Sequence, residues 1–241
     1  TIGMYDDSRF IYREYIQNAA DQIDKARQQG LVEDGEIHIS IEPEKKIISI
    51  EDDATGIEEN KVVEILKNIA QSTKQRGVDK GFRGIGRLGG LGYCEKLVFE
   101  TSFKGEPVKS IMTWDALKLK SIINNRNQKE EASAVIDAVT SLDKAKEKPE
   151  AHYFKVTLVG VTNKDLLDVK EIRSYLSMVA PVPFSNKFLY AKKIYAELEK
   201  EGIKLDEYKT FVNADQLFKG YNSYIYEGTD STNRKKIGEV I

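Results

Sequence analysis

Six of the twelve residues from Gly81 to Gly92 are glycine. A run so poor in side chains has two main uses. It can offer several main-chain N–H groups to an anion such as phosphate, or it can let two backbones cross closely where a Cβ would not fit. Gly81-Phe82-Arg83-Gly84-Ile85-Gly86 reads as such a loop, and Leu88 to Leu91 as an apolar, glycine-rich helix after it. Arg83 and Arg87 could add charge-assisted bonds to a phosphate. The spacing is neither the dinucleotide-binding nor the P-loop kind. It does not directly follow a strand in a βαβ unit, and no Lys-Ser/Thr pair closes it. Read alone, the run is equally a flexible turn before a tight crossing.

The surrounding chain sets this run between helices and hairpins. Ile11, Tyr15, Ala19, Ile23 and Ala26 recur at three- and four-residue spacing, predicting a helix from about Ser8 to Gln29 that stops at Gly30. Ile37–Ile41 and Ile47–Ile50 predict a hairpin, as do Lys96–Phe103 and Val108–Trp114. Glu58–Ala70 predicts a second helix, with Val62, Ile65, Leu66 and Ile69 on one face. Ala116–Glu150 is charged, and reads as a partly helical insertion or surface layer. Tyr153–Val161 alternates as a strand, and a helical pattern begins near Asn163. The expected architecture is α+β: a two-layer α/β sandwich, its mixed, mostly antiparallel sheet covered by helices. Residues 1–162 form the first domain, and 163–241 begin a second α/β domain.

Composition narrows the functions. Lys and Arg total 37 against 39 Asp and Glu, a net charge of −2, so no bulk field gathers nucleic acid or acidic membrane. No apolar run is long enough to span a bilayer. A single cysteine, Cys94, excludes an internal disulfide framework, and His38 and His152 are the only histidines, too few for a histidine-rich metal site. These features point to a cytoplasmic protein with no membrane partner. Cys94 and Trp114 are expected in the core. The chain opens at Thr1, as a piece of a longer protein would.

Two further patterns carry chemistry. In the first helix Glu14, Asn18 and Asp21 are four and three residues apart and share a face. A carboxamide oxygen there suits Mg²⁺, which keeps waters and takes other ligands from phosphates. A nearby Glu can polarise an attacking water. The same spacing also describes a solvated polar stripe. The second pattern, Glu51-Asp52-Asp53-Ala54-Thr55-Gly56-Ile57, leaves a strand and enters a helix through small residues. A fixed Asp at a strand end can accept a hydrogen bond from an exocyclic amine such as that of adenine. It can equally be an acidic helix cap.

The order of the three patterns is more specific than any one of them. A Glu-x-x-x-Asn helix, an Asp-x-x-x-Gly turn and a Gly-x-x-Gly-x-Gly loop resemble the N-box and two glycine boxes of the GHKL, or Bergerat-fold, superfamily. This superfamily includes Hsp90, DNA gyrase B, MutL and the histidine kinases. Arg13-Glu14-Tyr15-Ile16-Gln17-Asn18-Ala19-Ala20-Asp21 looks very like the Arg-Glu-Leu-Ile-x-Asn-x-x-Asp of Hsp90. Ile69-Ala70-Gln71-Ser72 resembles its Ile-Ala-Lys-Ser, and the resemblance covers about Tyr5 to Val161.

The resemblance implies a Mg²⁺-dependent ATP-binding domain that hydrolyses ATP slowly. Glu14 would be the general base and Asn18 the Mg²⁺ ligand, with Asp21 beside it. Asp52 would recognise adenine, assisted by Thr157, with Gly56 and Ile57 passing under the nucleotide. Gly81, Phe82, Arg83, Gly84, Ile85 and Gly86 would form the phosphate loop, and Ser72, Thr73 and Lys74 the start of a lid. Lid closure and an ATP-dependent homodimer acting on an unidentified client protein or nucleic acid are implied as well.

There are departures. Ala54 stands for the first glycine of its box, and Arg83 and Arg87 stand where aromatic residues are expected. The late Gly-Thr of Hsp90 falls at Tyr153-Phe154, and the lid between Lys74 and Gly81 is short. Two alternatives follow: a nucleotide-gated module that does not hydrolyse, or a histidine-kinase-type phosphotransferase.

Overall fold

The computed structural model describes residues 7–67, 86–124, 131–219, 224–227 and 235–239. The first helix, α1, spans Phe10–Gln28 and buries Ile11, Tyr15, Ala19, Ile23 and Ala26, the expected face, together with Tyr12, Ile16, Ala20 and Asp21. It ends as its sequence requires. Gly30 adopts φ +68, and Leu31 N–H donates to Ala26 O while Gly30 N–H donates to Arg27 O, the paired bonds of a Schellman stop.

Strands β1 (Glu36–Glu42) and β2 (Ile47–Asp52) form the first hairpin, with Ile37 opposite Asp52 and Ile39 opposite Ile50. A 3-10 turn (Glu59–Lys61) leads into α2 (Val62–Lys67). Here Val62 and Leu66 are buried but Ile65 is 37% exposed, so the apolar face is narrower than the spacing suggests. Gly86–Gly92 is a 3-10 segment. It is followed by β3 (Lys96–Ser102), β4 (Val108–Asp115), α3 (Ala116–Asn124), α4 (Ala132–Val139), β5 (Thr140–Lys146) and β6 (Tyr153–Val159).

The chain after residue 162 joins the same sheet and core. It forms α5 (Val169–Val179), α6 (Ala191–Lys200), β7 (Lys209–Val212) and β8 (Asp215–Gln216). Strand β7 pairs parallel with β1, Glu36 opposite Lys209, and Ile172 and Leu176 of α5 belong to the common core. A separate hairpin, β9 (Tyr224–Glu227) with β10 (Lys235–Glu239), follows. The eight-stranded order is β5-β4-β3-β6-β2-β1-β7-β8, and every pairing except β1 with β7 is antiparallel. The expected α+β class and mixed, mostly antiparallel sheet are therefore observed.

Alternation sorts the sheet into two faces. Ile37, Ile39, Ile41, Ile48, Ile50, Leu97, Phe99, Met112, Trp114, Val156 and Leu158 pack inward with α1. Where β7 stops at Val212, β1 runs on. Asn213, at φ +49, places its side-chain amide against the next position of β1. Its Oδ1 accepts Ile41 N–H at 2.8 Å and its Nδ2 donates to Ile41 O at 3.1 Å.

Candidate functional site

Asp52 ends β2 on the inward face, one alternation beyond Ile48 and Ile50. It is 3% exposed, and its Oδ1 accepts Ala54 N–H at 3.2 Å. Burial pushes its carboxyl well above the usual carboxylate range. The Ala54 N–H opposes the shift, and the neighbouring Asp53 and Glu51 charges add to it.

The turn after it is tied down bond by bond. His152 Nδ1 lies 2.7 Å from Ala54 O and must donate, since a carbonyl only accepts. Ile57 N–H donates to Thr101 Oγ1 at 2.9 Å, and that hydroxyl donates to Tyr153 O at 2.9 Å. Gly56 sits at φ +66, and a Cβ there would fall 1.9 Å from Ser102 O. Only glycine fits. Ala54, by contrast, buries its methyl fully in the core, which accounts for an alanine where the motif has glycine.

Helix α1 runs past this turn. Glu14, Asn18 and Gln22 repeat every four residues along one face, a row about 12 Å long at 1.5 Å per residue. At one end Gln22 Oε1 lies 3.4 Å from Thr55 Oγ1. At the other, a Cβ on Gly86 would sit 2.3 Å from Glu14 Oε2, so the Glu14 carboxylate stands over the bare backbone of the glycine run. Asp21 is 7% exposed and its Oδ1 accepts from Gln17 Nε2 at 3.2 Å.

The glycine run packs on α1 through the hydrogens that replace its side chains. A Cβ on Gly89 would meet Ile11 Cδ1 at 2.9 Å, and one on Gly90 would meet the Tyr15 hydroxyl at 2.5 Å. Arg87 donates from Nη1 to Ile65 O at the end of α2, and burial lowers its pKa. Cys94 is fully buried, its Sγ 3.2 Å from Gly90 O. Burial pushes its thiol up to about 12, as befits a core residue rather than a nucleophile.

A family model described as histidine kinase-, DNA gyrase B- and HSP90-like ATPase matches residues 9–148, more than half of the chain. The chain belongs to this family. Curated relatives of this HSP90-like ATPase domain include the chaperone protein HtpG of Psychrobacter cryohalolentis, 28% identical over 134 residues, covering 47% of this chain and 20% of the relative. HtpG of Acinetobacter baylyi is 28% identical, covering 47% and 21%. HtpG of Helicobacter acinonychis is 34% identical over 78 residues, covering 29% and 13%. The match spans at most about a fifth of the length of these relatives. The ATPase domain of this family is an ATP-binding one. In this chain the matched residues run from the residue before α1 to just beyond β5.

Against that frame of motifs, Glu14, Asn18, Asp21, Asp52, Gly56, Ile57 and Gly86 gather along α1 and the two glycine turns it touches. Ser72, Thr73, Lys74, Gly81, Phe82, Arg83, Gly84 and Ile85 lie outside the described residues. Thr157 is not brought to the site. It pairs with Ser49, three positions along β2 from Asp52, roughly 10 Å of strand, and alternation turns it to the opposite sheet face. The residue across from Asp52 on the same face is Phe154, which stacks on Phe99 with centroids 5.8 Å apart. Sequence reasoning passed over Phe154 and Gln22. The four-residue spacing from Asn18 already pointed to Gln22, whereas Phe154 needs the strand register.

Oxygen donors of this kind fit a small hard cation. Glu14 and Asn18 offer a carboxylate and a carboxamide one turn apart. Among the described residues no three His, Cys, Asp or Glu side chains converge as a metal cage. A Mg²⁺ ion held by one or two side chains, with phosphate and water completing its shell, matches that donor set.

Proposed function

We propose that this HSP90-like domain binds ATP with Mg²⁺ and hydrolyses it slowly. The observation that supports the reading is the α1 row. Its Glu14 end meets the glycine run, its Gln22 end meets the Asp52 turn, and the distance between suits a nucleoside triphosphate laid along the helix. Asp52, buried and carrying one backbone hydrogen bond, accepts the exocyclic amine of adenine. Gly56 and Ile57 pass beneath the base. The main chain from Gly81 to Gly86, with Phe82, Arg83, Gly84 and Ile85 between, holds the phosphates, and Ser72, Thr73 and Lys74 begin the cover over them. Asn18 ligates Mg²⁺, with Asp21 beside it; when bound, the ion neutralises developing phosphate charge. Glu14 orients the attacking water and takes its proton.

The curated relatives are chaperones. We therefore extend the proposal for the whole protein to lid closure, an ATP-dependent homodimer, and action on a protein or nucleic-acid client in the cytoplasm. The phosphotransferase alternative finds less support. His38 lies in β1 beside Glu36 and stacks on Phe211, and His152 holds the Asp52 turn; neither sits on a helical hairpin.

Calorimetry with Mg·ATP on the folded chain tests binding, and phosphate release by wild type and E14A tests chemistry. Heat of binding that persists in E14A while turnover disappears is the expected result. No heat at saturating ATP or ADP sinks the reading. Binding without phosphate release, even in the full protein, leaves the non-hydrolysing module.

A further inference from the structure

We infer that Gly86 and Tyr15 are positioning residues for the Glu14 carboxylate, so that the glycine run sets the geometry of water activation in addition to any phosphate contact. The inference rests on the catalytic role proposed for Glu14 above.

Two contacts carry it. The first is the bare Cα of Gly86 under Glu14. A methyl group there would lie 2.3 Å from Oε2 and 3.4 Å from Cδ. The atom that must yield to it is the tip of a flexible side chain. The second contact comes from the next residue of α1. The Tyr15 hydroxyl donates to Arg87 O at 3.0 Å and accepts Gly90 N–H at 3.2 Å. Those two backbone groups are an i, i+3 pair, the pair that a 3-10 turn joins directly. One phenol therefore addresses both ends of a turn of the 3-10 segment, and holds that turn at a fixed spacing from α1. Tyr15 is 4% exposed, and burial raises its pKa far above the ordinary phenol value, so the hydroxyl stays neutral and keeps both bonds at working pH.

Glu14 and Tyr15 are adjacent on α1, and their partners Gly86 and Arg87 are adjacent on the run. The helix and the loop thus meet as two consecutive residues against two. Removing the Tyr15 hydroxyl takes away both of its bonds to the run and frees the run to shift against α1. Adding a methyl at Gly86 moves the carboxylate with the run in place. Both changes misplace the carboxylate from opposite sides.

The test compares wild type, G86A, Y15F, E14A, E14A/G86A and E14A/Y15F by steady-state phosphate release and by calorimetry with Mg·ATP. G86A and Y15F should lower kcat by about 10- to 100-fold, the effect of an ångström-scale misplacement, and Y15F, whose hydroxyl lies outside the proposed phosphate loop, should hold ATP affinity within about threefold. In the E14A background neither should lower residual turnover further. The carboxyl ¹³C resonance of Glu14, identified by its loss in E14A, should move in both variants without nucleotide. An unmoved resonance overturns the inference, as does a loss of ATP affinity in Y15F matching its loss of kcat, or an equal further drop in the E14A background. Full turnover in E14A alone would instead overturn the role of Glu14.

Discussion

Gly56 and Gly86 flank the same helix face and are glycines for different reasons. Gly56 lies at φ +66 with Ser102 O and Tyr153 O against it, both main-chain atoms of paired strands β3 and β6. Gly86 has the tip of a glutamate side chain against it. A backbone fixed in a sheet ladder cannot retreat, whereas a glutamate carboxylate can. The Asp52 end of the row is therefore built into the sheet, and the Glu14 end is adjustable. Under the proposed function the base is read at the rigid end and chemistry is done at the adjustable one.

The strongest way to break that contrast is substitution of both glycines. G56A adds left-handed strain of roughly 1–2 kcal/mol to an overlap costing roughly 1–3 kcal/mol. Its urea midpoint should fall accordingly, by about 2–5 kcal/mol in unfolding free energy. G86A should cost less than about 1 kcal/mol. Equal losses would erase the distinction.

Next in size is D52N, which should weaken ATP binding about 100-fold or more, because an amine donor then faces an amide in a buried site. Its effect on stability has the opposite sign. The folded Asp52 holds its proton at a pH where the unfolded chain, at about 3.9, has lost it. Wild-type stability is thus full below that value and falls as pH rises towards the raised folded pKa. Asn keeps the acceptor for Ala54 N–H without that slope. Urea midpoints across this range should show D52N gaining on wild type as pH rises; parallel curves would mean the carboxylate is not buried as described. The smallest effect is expected of T157V. It faces away from Asp52, and ATP affinity should stay within about twofold. A tenfold loss would overturn the assignment of sheet faces.

How much of this was legible depended on the range of the interactions. The buried stripe of α1 and its stop at Gly30 rest on contacts within a few residues, so spacing revealed them. The Glu14, Asp52 and Gly86 motifs were likewise local. Strand β5 gave no signal, because as an edge strand it is exposed along nearly its whole length and shows no alternation. The boundary read at residue 162 came from a change of pattern. The parallel pairing of Lys209 with Glu36 across it joins residues far apart in the chain, which composition does not register. Thr157 was misplaced for the same reason: a residue's face is set by register with β2, and a slip of one position reverses it.

The side-chain amide of Asn213 has a consequence beyond the turn it occupies. An open strand margin invites pairing with any passing chain. By presenting its own acceptor and donor to Ile41, Asn213 caps β1 just beyond the short cover given by β7. One residue thereby satisfies the main-chain groups of Ile41 that a longer neighbouring strand would otherwise have to meet.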